Sequence, residues 1–186
     1  MAGAHGKINH PLGNASGFTL MEMIVVIAII AIAAAFAYPS LTQWRANSIL
    51  NSSARQLLGD FQRAKMEAVR RNADVVLKFT KGTSTSSGGS YTMFVDNVTQ
   101  NGSLDAGEPV ITTVAMPKGV DLYNTALVDK NGNSVDYCGF NSRGWSIDFV
   151  DGGVSLKNDN SRYYKVSLTG AGAVQLLQSS DGSNWN

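Results

Sequence analysis

The sequence predicts an α+β protein in which one long N-terminal helix, apolar in its first half and amphipathic in its second, packs against an antiparallel β-rich head. Three observations predict it. From Phe18 to Tyr38 only Thr19 and Glu22 are strongly polar. From Leu41 to Val69 apolar residues return at three- and four-residue steps. From Ala73 onward, short runs rich in β-branched and aromatic residues alternate with Gly, Ser, Asn and Asp.

The first element is the apolar run. At about 1.5 Å per residue, a helix from Phe18 to Tyr38 reaches roughly 30 Å, the thickness of a bilayer's hydrocarbon core. A run of that kind is, by itself, an ordinary membrane anchor. Glu22 changes the reading. An ionised carboxylate inside lipid is costly, so it is a functional candidate that needs a named partner. If the chain is cut after Gly17, Glu22 becomes the fifth residue, close to a new amino terminus at Phe18. Amine and carboxylate then neutralise each other, within one molecule or between neighbours.

At Gly17-Phe18-Thr19-Leu20-Met21-Glu22 the chain resembles the class III signal peptides of type IV pilins and type II secretion pseudopilins. The resemblance implies a prepilin peptidase that cuts between Gly17 and Phe18 and methylates the new amino terminus of Phe18. Glu22 takes the assembly role, and Pro39 falls where many pilins also carry Pro. It divides the chain into a cleaved leader (1–17), a transmembrane or filament-core helix (18–40), an amphipathic helix of the head (41–72) and a β-rich periplasmic head (73–186).

The leader holds His5, Lys7 and His10 but no apolar core, so the apolar region lies after the cut instead of before it. Its positive charge points to the cytoplasmic side. His5 and His10 are poor metal ligands, being on a short, Gly-rich, disposable segment. The chain carries 15 basic and 14 acidic side chains, and losing Lys7 with the leader leaves the two in balance. That balance gives no bulk drive toward nucleic acid or anionic surfaces. Cys138 is the single cysteine, which excludes an intrachain disulfide; its apolar neighbours make it a buried core thiol in preference to a reactive one.

The amphipathic stretch presents Leu41, Trp44, Leu50, Ala54, Leu57, Leu58, Phe61, Ala64, Ala68 and Val69 as a core-facing stripe. Pro39 marks a point of kinking or local opening. Gly59 suggests a close-packed neighbour, because an interior Gly is otherwise unfavourable. Arg63, Lys65, Arg70 and Arg71 are interleaved with Asp60 and Glu67, which reads as a solvated face with local ion pairs; the alternative is a phosphate-binding stripe.

Strands are predicted at residues 75–79, 91–95, 110–114, 135–140, 145–149, 163–168 and 174–177, with turns at Gly82 to Gly89 and Asp151-Gly152-Gly153. Gln178 to Asn186 reads as a polar, fraying tail. The loop from Asp96 to Glu108 alternates acids and amides. It reads as a turn-forming hairpin loop, because Val98 and Gln100 stand where short oxygen donors would be needed; the alternative is a calcium loop using Asp96, Asn101, Asp105 and Glu108.

Phe94-Val95-Asp96 with Asp105-Ala106-Gly107-Glu108, Phe140-Asn141-Ser142-Arg143-Gly144, and Tyr164 to Gly170 resemble the head motifs of the GspH/FimT family of minor pseudopilins and minor pilins. The implied function is a structural subunit of a type II secretion pseudopilus or type IV pilus, acting in protein secretion or pilus biogenesis. Implied partners are prepilin peptidase, other pilin subunits in a filament and an inner-membrane assembly platform. Implied location is the inner membrane, single-pass, with the leader cytoplasmic and the head periplasmic, and then the filament. The alternative is a FimT-like minor pilin that binds DNA during transformation. Those proteins carry a basic Gly-Arg motif near the C-terminus; here Gly170-Ala171-Gly172-Ala173-Val174 has no arginine, which argues against nucleic acid. Both histidines lie in the leader, and there is no phosphate loop or paired-Cys spacing. No enzyme, cofactor or metal is therefore expected.

Overall fold

The computed structural model describes residues 17–186. The leader before Gly17, with His5, Lys7 and His10, lies outside the described residues. The α+β class holds: one helix, α1 (Leu20–Arg71), precedes nine strands. The chain divides into two compact units, Met1–Ser40 and Leu41–Asn186.

In the first unit the helix runs through Pro39 unbroken. No described side chain there is buried, although the run is strongly apolar. In the second unit α1 buries Leu50, Ser53, Ala54, Leu57, Phe61, Ala64 and Ala68, one stripe at three- and four-residue steps. The stripe is narrower than the sequence predicts: Leu41, Trp44 and Val69 are exposed. Leu41 and Trp44 precede the first fully covered position, Leu50, and Val69 lies about 100° around the helix from Ala68. Gly59 also departs from expectation. It faces open space, with nothing within 4 Å of where a Cβ would stand.

The helix ends in a Schellman closure. Asn72 takes φ 51°, Ala73 N–H donates to the Ala68 carbonyl at 3.2 Å, and Asn72 N–H donates to the Val69 carbonyl at 3.3 Å.

The strands are β1 (Asp74–Ser84), β2 (Ser87–Asp96), β3 (Val110–Ala115), β4 (Asp121–Val128), β5 (Ser134–Val135), β6 (Tyr137–Phe140), β7 (Asp151–Lys157), β8 (Tyr163–Leu168) and β9 (Val174–Ser179). They form two antiparallel sheets, ordered β3-β2-β1-β6 and β5-β4-β7-β8-β9. A single apolar core joins the α1 stripe to both sheets. Val75, Val76 and Leu77 are buried in succession, so β1 is covered on both faces. Cys138 is fully buried beside it, as expected, and burial pushes its thiol pKa up.

Four details of the head correct the sequence reading. The turn between β1 and β2 is only Thr85-Ser86, closed by pairing of Ser84 with Ser87. Asp151-Gly152-Gly153 is the start of β7 and not a turn; Gly152 is there because a Cβ would fall 1.9 Å from the Ala126 carbonyl of β4. Trp145 to Phe149 is not a strand. After one bridge from Ser146 to Phe140, residues 147–149 form a 3-10 turn, with Asp148 and Phe149 both at φ 53°. Finally, Gln178 to Asn186 does not fray. Asp181 Oδ1 accepts from Ser183 and Asn184 N–H at 2.8 and 2.9 Å, and Gln178 and Asn186 exchange two backbone hydrogen bonds. Strands β4 and β7 both escaped the sequence reading.

Candidate functional site

Gly17, Phe18 and Thr19 precede the helix, and Leu20 is its first residue. Thr19 caps it: its Oγ1 accepts from the Glu22 N–H at 3.2 Å, while its carbonyl accepts from Met23 N–H at 3.2 Å. Glu22 thus stands at the third helical position, where a carboxylate also meets the positive end of the helix dipole. The Thr-x-x-Glu spacing of a capping box was present in the sequence and identifies Thr19 as a fourth member of the group. Phe18 is 71 % exposed. Among the described residues, nothing lies within 4 Å of where a Cβ on Gly17 would stand.

Around this start the apolar side chains point outward on every side: Ile24, Ile27, Ile29, Ile30, Ile32 and Phe36 are all exposed. A helix that is apolar all round calls for lipid or for other helices.

In the head, the loop from Asp96 to Glu108 turns its oxygens onto its own backbone. Glu108 Oε1 accepts from Asn97 and Val98 N–H, and its Oε2 from Asp105 N–H at 2.9 Å. Asp96 Oδ2 accepts from Gly102 N–H at 2.8 Å. Asp105 accepts from the Thr99 hydroxyl and from Asn101 Nδ2. The hairpin reading describes these contacts, and no group of three metal-ligating side chains converges among the described residues. Asp96 Oδ1 is buried without a partner, and burial, with repulsion from Glu108 behind it, raises the carboxyl's pKa.

The basic cluster is engaged internally. Glu67 Oε2 accepts from Arg70 Nη2 at 2.6 Å and Arg71 Nε at 2.7 Å, which holds its carboxyl below the usual range. Lys65 Nζ donates to the Gly172 carbonyl at 3.0 Å and lies 6.0 Å from the Phe140 ring centre. The stretch from Gly170 to Val174 is thereby tied to α1, and of the four cations only Arg63 forms no such contact among the described residues.

A family model described as "Type II transport protein GspH" matches residues 53–172, and one described as "Prokaryotic N-terminal methylation motif" matches residues 12–38. The chain belongs to the GspH family.

Its family is one of structural pilin- and pseudopilin-type subunits, and the apolar helix with its methylation motif marks this GspH-family chain as a membrane-anchored one. Among curated proteins it is 39 % identical over 93 residues to the pilin-like protein PilA1 of Thermus thermophilus, covering 50 % of this chain and 54 % of that one. The chain thus spans about half the length of the curated relative it matches. Among solved structures, the type IV minor pilin FimU of Pseudomonas aeruginosa aligns with a TM-score of 0.50 at 18 % identity, over 75 % of this chain and 94 % of that one. The minor pseudopilin EpsH of the Vibrio cholerae type 2 secretion system aligns at 0.46 and 13 %, over 69 % and 96 %. The FimU likeness is one of fold.

Proposed function

We propose that this GspH-family chain is a minor pilin-type subunit of a type II secretion pseudopilus or type IV pilus. Residues 1–17 are a leader that prepilin peptidase removes between Gly17 and Phe18, methylating Phe18. Residues 18–40 hold the subunit in the inner membrane, and residues 41–72 form the spine of a periplasmic head whose sheets come from residues 73–186. The observation that carries the reading is Glu22 in the first turn of a helix with no buried described side chain in its apolar run. In lipid that carboxylate needs a cation, and the amine that cleavage would create at Phe18 supplies one. An assembly platform would lift the subunit from the bilayer into a bundle of like helices. The chain would be a peptidase's substrate and have no catalytic role of its own.

Mass spectrometry of the protein from its native host tests this directly. The expected terminus is N-methylated Phe18; an intact leader on assembled protein would overturn the assignment. Gly17→Trp should abolish cleavage by crowding the scissile bond, with accumulation of the uncut form.

A further inference from the structure

A cavity of about 260 Å³ lies between α1 and β8, lined by Trp44, Asn47, Ser48, Asn51, Arg162 and Tyr164. It shares no residue with the processing and assembly group. Its lining contains one permanent cation and no carboxylate. The Arg162 guanidinium makes no ion pair or hydrogen bond with any described residue, and the hydroxyls of Ser48 and Tyr164 make none either.

The two amides have their oxygens occupied from within the protein. Asn47 Oδ1 accepts from Asn158 Nδ2 at 2.9 Å and from Asn160 Nδ2 at 3.4 Å, and Asn51 Oδ1 accepts from Arg55 Nε at 2.9 Å. Their NH₂ groups remain as donors without partners. The wall is therefore rich in donors and lacks an anion, beside an indole that is 67 % exposed. That chemistry suits phosphate oxygens.

The turn before β8 is fastened to the helix at this point, since Asn158 Nδ2 donates to Asn47 Oδ1 at 2.9 Å and Asn160 Nδ2 to the Gln43 carbonyl at 3.3 Å. Trp44 follows Tyr38, the end of the apolar run, by six residues. Even a fully extended chain would keep it within about 20 Å of that end. Trp beside Arg is a pairing suited to a lipid–water interface.

We propose that the cavity takes the phosphate of an anionic phospholipid from the membrane that holds the apolar run, with Arg162 on the phosphate and Trp44 at the glycerol level. The inference rests on the membrane-anchored reading of that run. The bound lipid would hold the subunit in the bilayer before extraction and would be left behind on assembly.

The full chain, purified in detergent with equal amounts of phosphatidylglycerol and phosphatidylcholine, is measured intact by native mass spectrometry. Phosphatidylglycerol should be retained in preference. Arg162→Ala should lower that preference about fivefold, the effect of one interfacial cation. Arg143→Ala, which removes an exposed arginine outside the cavity, should leave it unchanged. Equal retention of the two lipids by the wild type, or an unaltered preference in Arg162→Ala, overturns the proposal. So does displacement of the lipid by millimolar inorganic phosphate, which would make this a site for the soluble ion. Carbonate extraction of membranes separates the two readings: a chain released by carbonate is not anchored, whereas one that stays yet shows no lipid preference loses only the cavity's role.

Discussion

The two stretches of α1 belong to one helix and are completed by different means. Between Leu41 and Arg71 the apolar stripe is closed by the chain's own sheets, and Glu67 finds Arg70 and Arg71 within one turn. Between Leu20 and Ser40 nothing covers the isoleucines, and Glu22 has no cationic partner among the described residues. Exposed apolar surface is unfavourable in water by about 25 cal/mol per Å². The second stretch therefore carries its partners in its own sequence. The first is written for surroundings that the described residues do not supply.

The largest expected effect tests the unfinished stretch. Glu22→Ala and Glu22→Gln should both be cleaved and membrane-resident, yet fail to enter filaments, because an amine left unpaired in an apolar core costs about 3–5 kcal/mol. Cross-linking to the major subunit, at matched expression, reads this out; normal incorporation of both variants would remove Glu22 from assembly. In the finished stretch, Phe61→Ala should destabilise the head by a comparable 3–5 kcal/mol while leaving cleavage and membrane insertion intact. Phe61 is fully buried and stacks on Phe79 at 6.1 Å, so thermal unfolding of the full chain should show the loss.

Two smaller effects test how completely the head satisfies itself. Asp96 has a raised carboxyl pKa, so the native state binds more protons than the unfolded chain. Stability should then fall as pH rises from the ordinary carboxylate value near 3.9 through the raised one. Asp96→Asn keeps an acceptor for Gly102 and adds a donor facing Glu108, and should stabilise the protein at neutral pH by on the order of 1 kcal/mol. Unfolding curves of both proteins across that range check the sign; a variant less stable at neutral pH would show that the charge is needed. The smallest change is Gly59→Ala, which should stabilise the helix by somewhat under 1 kcal/mol, since open space surrounds the site. A loss of stability there would mean that the exposed helix face has a partner.

Periodicity made the head-facing part of α1 legible, because burial from Leu50 to Ala68 follows a 3.6-residue repeat, and the helix is closed by caps at Thr19 and Asn72. The methylation motif over residues 12–38 was legible for a related reason: its pattern is local in sequence, and the roles proposed for Gly17, Phe18 and Glu22 rest on it. The strands were harder. Gly152 and Gly153 read as a turn because glycine is a turn former in isolation, whereas here they admit the backbones of β4 and β8. Trp145 to Phe149 reads as a strand by composition, but Ser146 Oγ bonded to the Val150 carbonyl and Lys130 N–H bonded to the Asp148 carbonyl bend it into a turn. Partners distant in the sequence enter both, β4 and β8 at the glycines and Lys130 at Asp148. The cavity at Arg162 was invisible for the same reason, its two walls being more than a hundred residues apart in the chain.

Cys138 has a consequence for anyone who wishes to watch this subunit at work. It is the only native thiol in the chain, it is fully enclosed, and its proton is held more tightly than usual. Maleimides and spin labels react with thiolates at accessible positions. A cysteine introduced at Ser40 or Arg63, both exposed, would therefore be labelled against a silent background, with no need to delete the native residue and repair the core. A fluorophore at Ser40 would test the proposed passage from lipid to filament, and one at Arg63 the contacts of the head.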